Sequence, residues 1–333
     1  MALQGGGAHG AFTWGVLDRL LEDDRIEIEG ISGTSAGAIN AAILAQGFVS
    51  GGKDGARKSL DGFWHRIASY SAFGLMRRSA IQRIFGNWNL DQSPGHIWLD
   101  AILRFLSPYQ FNALGLNPLR DTLASAIDIP TVRACEHFKL FVCATNVRTG
   151  KIRVFDRKAL TVDALLASAC LPHLFQAVEI EGDPYWDGGY MGNPAIFPLI
   201  YGCHSADVVI VQINPLTREG IPKTAAEISN RLNEISFNSS LMREMRAIAF
   251  VNLLLDEQWL TPGAASRVKR MHIHMIAGGD DMNDLGVASK FNAEMEFLDH
   301  LKCVGRRCAG AWLDTNIADI GKRSTVNLRE VFL

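Results

Sequence analysis

Ile31-Ser32-Gly33-Thr34-Ser35-Ala36-Gly37-Ala38-Ile39-Asn40-Ala41-Ala42 reads as the end of a buried strand, a sharp turn and the first turns of a helix. Gly33, Ser35 and Gly37 make a G-x-S-x-G. A strand-to-helix turn this tight leaves no room for side chains two residues to either side of the serine. Ala36, Ala38, Ala41 and Ala42 favour helix, and no proline interrupts them. The start of that helix would aim N–H groups and its positive dipole end at charge developing beside Ser35. A bare G-x-S-x-G also fits a small-residue bend before an ordinary helix, so the flanking chain has to decide.

On the N-terminal side, Ala2-Leu3-Gln4 reads as the tail of a first strand that runs into Gly5-Gly6-Gly7-Ala8-His9-Gly10. A helix over 11–22 buries Phe12, Val16, Leu17, Leu20 and Leu21, and a second strand is expected over 26–32. Strand, glycine loop, helix and strand make a βαβ unit with parallel strands. The glycine loop and the serine turn then emerge at one edge of the sheet, where the loop N–H groups can face a carbonyl attacked by Ser35. Gly5, Gly7 and Gly10 also satisfy G-x-G-x-x-G, with Glu29 at the distance of a ribose-binding acid. Glu29, however, precedes the carboxyl end of the second strand. An oxyanion loop is favoured, and dinucleotide binding through Gly5, Gly7 and Gly10 is the alternative from a different class.

Downstream, residues of about 48–130 read as a helical insertion rich in aromatics (Phe63, Trp64, Phe73, Phe85, Trp88, Trp98, Phe105, Tyr109 and Phe111), broken by Pro94, Pro108 and Pro118. Core packing explains most of these rings; an acyl channel or lipid-facing lid is the functional alternative. Sheet returns at 139–146 with a hairpin partner at 152–155, then a helix over 161–168 and strands at 178–180 and 185–187. Asp187 ends its strand ahead of Gly188 and Gly189, so its carboxylate is free to project at the sheet edge. A buried strand covers 207–214. Residues 215–333 read as a mostly helical extension of the same domain. It has a long helix over 225–259 with Ile228, Leu232, Ile235, Leu241, Met245, Ile248 and Val251 on one apolar face, a strand at 271–276, and a helix over 290–301.

Whole-chain properties narrow the function further. The chain has 333 residues and a formal net charge of −2, with no basic run interleaved with aromatics, so nucleic acid is not an expected partner. None of the six cysteines forms a C-x-x-C pair, and free thiols in a reducing compartment are expected. His272 and His274 share a strand face without the further ligands of a metal site. With no ~20-residue apolar run and no leader pattern, the expectation is a cytoplasmic protein, with membrane contact at most peripheral. The glycine motif begins at Gly5, which leaves open a natural start upstream of Met1.

A serine hydrolase ordinarily takes a histidine base held by a carboxylate. His9 lies inside the glycine loop, His173 follows Pro172 and His204 precedes a strand; none stands in a late loop. The full set of motifs resembles the patatin-like phospholipase family, whose catalytic pair is serine and aspartate. The matching residues are Gly5 to Gly10, Gly33 to Asn40, Ala144-Thr145-Asn146 with Thr149-Gly150, Ala167 to Pro172 with Phe175, Asp187-Gly188-Gly189, and Asn193-Pro194, over roughly residues 1–214. The resemblance implies a three-layer α/β fold with a central, mostly parallel sheet and a catalytic domain over 1–214. It also implies a lipid acyl hydrolase with Ser35 as nucleophile, Asp187 as base, and an oxyanion hole from Gly5, Gly6, Gly7 and Ala36. An esterase or acyltransferase on a non-phospholipid ester would use the same residues. No metal or other cofactor is expected, and oligomeric state is open. The departure is His9, where the family carries Lys or Arg: it is read either as a pH-dependent modulator or as a packing residue.

Overall fold

The computed structural model describes residues 1–71, 78, 82, 87–91 and 93–333. Its organising element is an eight-stranded sheet of β1 (Ala2–Leu3), β2 (Gly30–Gly33), β3 (Lys139–Asn146), β4 (Ile152–Asp156), β5 (Val178–Ile180), β6 (Asp183–Asp187), β7 (Asp207–Gln212) and β8 (His272–Ala277). Hydrogen-bonded neighbours run β5-β6-β3-β2-β1-β7-β8, with β4 also on β3. The strands from β3 through β8 along that path are parallel; β4, β5 and β6 run antiparallel to their partners.

Alternation along the central strands divides the core. Leu3, Val211 and Ile276 face one hydrophobic cluster, whereas Ala2, Ile210 and Ile273 face the other. Over the first face lie α1 (Gly10–Leu20), α2 (Ala36–Ser71) and the Met295–Asn316 helix; over the second lie the Ala225–Asp256 helix and short helices at Phe197–Gly202 and Leu328–Phe332. The molecule is therefore a three-layer α/β structure with a mostly parallel sheet. Residues 215–333 supply β8 to that sheet, and the Met295–Asn316 helix crosses α1 at Gly15 and Gly305.

Several expected elements shift. β2 begins at Gly30, so Ile26 to Glu29 precede the strand, and Glu29 accepts from the N–H groups of His204 (2.6 Å) and Ser205 (2.7 Å) at the far edge of the sheet from the glycine loop. That placement removes the dinucleotide alternative, because the acid and the loop stand at opposite ends of the strands. Pro94, Pro108 and Pro118 open helices at Pro94–Phe105, Pro108–Phe111 and Pro118–Ala126, where a missing N–H is harmless. α2 is broken at Gly51–Gly52, where the backbone leaves the helical region. The helix expected from Lys290 instead starts at Met295; Lys290 sits in a 3₁₀ turn, Val287–Phe291. In the Ala225–Asp256 helix, Leu241, Met245 and Ile248 are buried, but Ile228, Leu232 and Ile235 are exposed. Phe73 and Phe85 lie outside the described residues.

Candidate active site

Ser35 and Asp187 come together because two strands share one edge of β3. β4 covers the other edge from Phe141 to Thr145, so β2, paired up to Gly33–Val142, and β6, paired from Asp187–Ala144, lie end to end. The serine turn leaves the end of β2 as Asp187 closes β6. The Gly33 and Gly37 pattern follows from crowding: a Cβ on Gly37 would lie 2.3 Å from Leu3 O, and one on Gly33 would lie 2.7 Å from Gly37 O. Likewise a Cβ on Gly188 would lie 2.1 Å from Cys143 O. Asn40 ties the pieces together, donating to Gly10 O (2.9 Å) and accepting from Trp64 Nε1 (3.0 Å).

Ser35 holds a left-handed backbone (φ 53°), a strained conformation for a non-glycine residue. Its own N–H donates to Ser168 Oγ at 2.8 Å. Its hydroxyl stands close enough to the carboxylate of Asp187 to help hold that group's pKa down. Asp187 is buried, with Oδ1 accepting from Gly189 N at 2.6 Å, its N–H donating to Cys170 O at 2.8 Å and its carbonyl accepting from Thr145 Oγ1 at 2.8 Å. Burial raises its pKa to about 7 against the opposing pull of the Gly189 N–H, the Ser35 hydroxyl and the charge of Lys290. A carboxyl group poised near neutrality accepts and returns protons readily. The nearby Cys170 thiol is pushed up to about 12 by burial and is no rival nucleophile.

Among the described residues, the N–H groups of Gly6, Gly7 and Ala36 have no hydrogen-bond partner, and all three residues line one cavity with Ser35 and Asp187. Gly5 differs from the expectation. Its N–H is committed to Asn193 Oδ1 at 2.7 Å, and it is needed for close approach, since a Cβ there would lie 2.7 Å from Ser35 Cβ. Gly10 packs in the same way, a Cβ there falling 2.7 Å from Ala36 Cβ. The cavity has a volume of about 450 Å³. Apart from Ser35, Asp187, Asn233, Lys290 and the glycine loop its walls are apolar, including Ile39, Phe63, Leu99, Leu119, Leu174 and Phe175. An alkyl chain fits such walls.

His9 is buried away from the cavity, with Nε2 at 2.7 Å from Ser289 Oγ and the ring edge-on to Phe297. Burial, and then the charge of Lys290, holds its pKa well below 6.5. Of the two readings, packing residue is the one this environment supports. Lys290, absent from the sequence reading, is the cation of the cavity. Its position in a chain 280 residues beyond the glycine loop, in a segment that reads as plain helix, carried no signal. Ser168 and Asn193 stood within quoted motifs, but nothing local told their roles.

The model of the patatin-like phospholipase family matches residues 1–200, and the chain belongs to that family. No curated protein sequence matches significantly. Among solved structures, VipD from Legionella pneumophila is similar at 18% identity with a TM-score of 0.36; the match covers 90% of this chain and 66% of VipD.

Proposed function

We propose that the protein is a lipid acyl hydrolase working through a Ser35–Asp187 dyad. The observation that supports this most directly is the Ser35 hydroxyl beside the Asp187 carboxylate in an apolar cavity that also holds unpartnered N–H groups. Asp187 takes the proton as Ser35 Oγ attacks the ester carbonyl, and the oxyanion is received by the N–H groups of Gly6, Gly7 and Ala36. Collapse of the tetrahedral intermediate expels the alcohol, to which Asp187 returns the proton. Water, deprotonated by the same carboxylate, then releases the fatty acid from Ser35. The strained backbone at Ser35 keeps Oγ presented at the cavity, and the bond from its N–H to Ser168 holds that strain in place.

The test is hydrolysis of p-nitrophenyl and glycerophospholipid esters by wild type, Ser35→Ala and Asp187→Asn, with fluorophosphonate labelling alongside. Each variant is expected to lose at least ~10³-fold in kcat, and Ser35→Ala to lose the label. Activity persisting in either variant would sink the dyad.

The substrate is reached from a lipid surface in this reading. Ile97, Trp98, Phe105, Leu106, Tyr109, Leu114 and Leu116 are exposed on one stretch whose Leu99 and Leu119 line the cavity. An apolar surface continuous with an acyl-sized cavity suits peripheral contact with a bilayer.

A further inference from the structure

Lys290 stands in the cavity with no carboxylate at ion-pair distance among the described residues, although the charges of Glu234 and Asp187 act on it from further away. Its Nζ donates to two neutral acceptors, Asn214 Oδ1 at 2.8 Å and Asn233 Oδ1 at 3.0 Å, and forms no ion pair among the described residues. An ammonium has three donors, so one remains for a ligand. The residue is half-buried and lines the cavity. A buried ammonium held directly only by neutral acceptors, with its carboxylates at longer range, gains when a negative group joins it.

The course of the side chain indicates where that negative charge belongs. At its root Lys290 abuts the glycine loop: a Cβ on Gly7 would lie 2.5 Å from Lys290 O and 3.4 Å from Lys290 Cβ. At its head, Nζ lies 5.3 Å from the ring of Phe237, the same ring that crowds Gly189 next to Asp187. The ammonium therefore stands on the Asp187 side of the cavity. In the dyad mechanism, Asp187 returns its proton to the departing alcohol, so the alcohol portion of the ester must lie on that side. The acyl chain takes the apolar walls. Among the described residues that line the cavity Lys290 is the one cation, and His9 is buried off it against Ser289 and Phe297.

We infer that Lys290, together with Asn233, receives a negative charge on the alcohol portion of the substrate, and that the protein selects esters whose alcohol carries a phosphate a few bonds from the scissile carbonyl. The inference rests on the acyl-hydrolase reading above. Lys290 is in these terms a specificity residue, supplied by a segment far from the glycine loop. Desolvation, which lowers its pKa to about 8, leaves an ammonium that gains from a phosphate partner.

The experiment compares two soluble esters with one acyl chain, a neutral monoacylglycerol and the corresponding acylglycerol 3-phosphate, on wild type, Lys290→Met and Lys290→Arg at the plateau pH of each. Wild type is expected to prefer the phosphate ester by at least roughly 10-fold in kcat/KM, Lys290→Met to cut that preference by roughly 10- to 100-fold, and Lys290→Arg to keep most of it. Inhibition of wild-type hydrolysis of the neutral ester provides a readout independent of variant folding: glycerol 3-phosphate should compete and glycerol should not. Wild type without preference, equal losses on both esters in Lys290→Met, or equal effects of glycerol 3-phosphate and glycerol would overturn the inference while leaving the hydrolase reading intact. Wild type that cleaves neither ester, with Ser35 unlabelled by a fluorophosphonate, would remove both.

Discussion

Asp187 carries two opposite consequences of one desolvated carboxyl group. Its folded pKa of about 7 lies above the ordinary 3.8, so the folded state holds the proton more tightly than the unfolded chain does. The stability this contributes is full below about pH 4 and is lost as pH rises through about 7. Asp187→Asn should therefore be more stable than wild type at pH 8, by roughly 2–4 kcal/mol, and nearly equal to it at pH 4. Thermal unfolding at the two pH values checks this, and a less stable variant at pH 8 would contradict it. In the proposed dyad the sign reverses for activity, because the base works deprotonated: kcat/KM for a neutral ester should rise with pH to a plateau, with its midpoint near 7. The groups facing Asp187 are Ser35, Cys170, Tyr190 and Lys290. Burial holds Cys170 and Tyr190 at about 12, so only Lys290, at about 8, titrates nearby. A phosphate-bearing ester should accordingly lose turnover above about pH 8 where the neutral ester does not.

Among elements, the shared edge of β3 matters most, since it converts two sequence motifs 152 positions apart into neighbours. Each strand was legible from its apolar run, and the β3–β4 hairpin from the turn at Thr149-Gly150. Which strand lies beside which was not, because pairing with β3 depends on long-range hydrogen bonds. The crossing of α1 with the Met295–Asn316 helix is of the same kind: Gly15 and Gly305 look unremarkable in sequence, yet a Cβ on Gly305 would lie 2.1 Å from Phe12 O. Gly305→Ala should force the helices apart and destabilise the fold by about 1–3 kcal/mol, read as a lower urea midpoint at unchanged m-value. A midpoint equal to that of wild type would show that the crossing relaxes freely.

Over the whole molecule, helices shield both faces of the sheet, and the cavity opens among α2, the 94–126 helices and the Val287–Phe291 turn. No helix among the described residues is long and apolar enough to cross a membrane. If the exposed stretch from Ile97 to Leu116 meets lipid as proposed, Trp98→Ala with Phe105→Ala should weaken sedimentation with phosphatidylcholine vesicles by about 10-fold or more, because two large apolar side chains would no longer leave water. Hydrolysis of a soluble p-nitrophenyl ester should be unchanged, as neither side chain lines the cavity. Vesicle binding equal to that of wild type would place the contact elsewhere.

By itself the sequence determined the parts: a βαβ opening, a serine turn made possible by Gly33 and Gly37, an aspartate released by Gly188 and Gly189, and an alternating buried strand at Asp207–Gln212. These follow from periodicity, steric room and turn chemistry, which act over a few residues. Only the tertiary structure decided that the Gly5 N–H is taken by Asn193 while those of Gly6, Gly7 and Ala36 stay open, that Ser168 braces the turn, and that Asp187 is held near neutrality. It also brought Lys290, 281 positions beyond His9, against the glycine loop and into the wall of the cavity. Desolvation and hydrogen-bond partnership depend on what surrounds a group in space, and contacts across such separations leave no periodic trace in the chain.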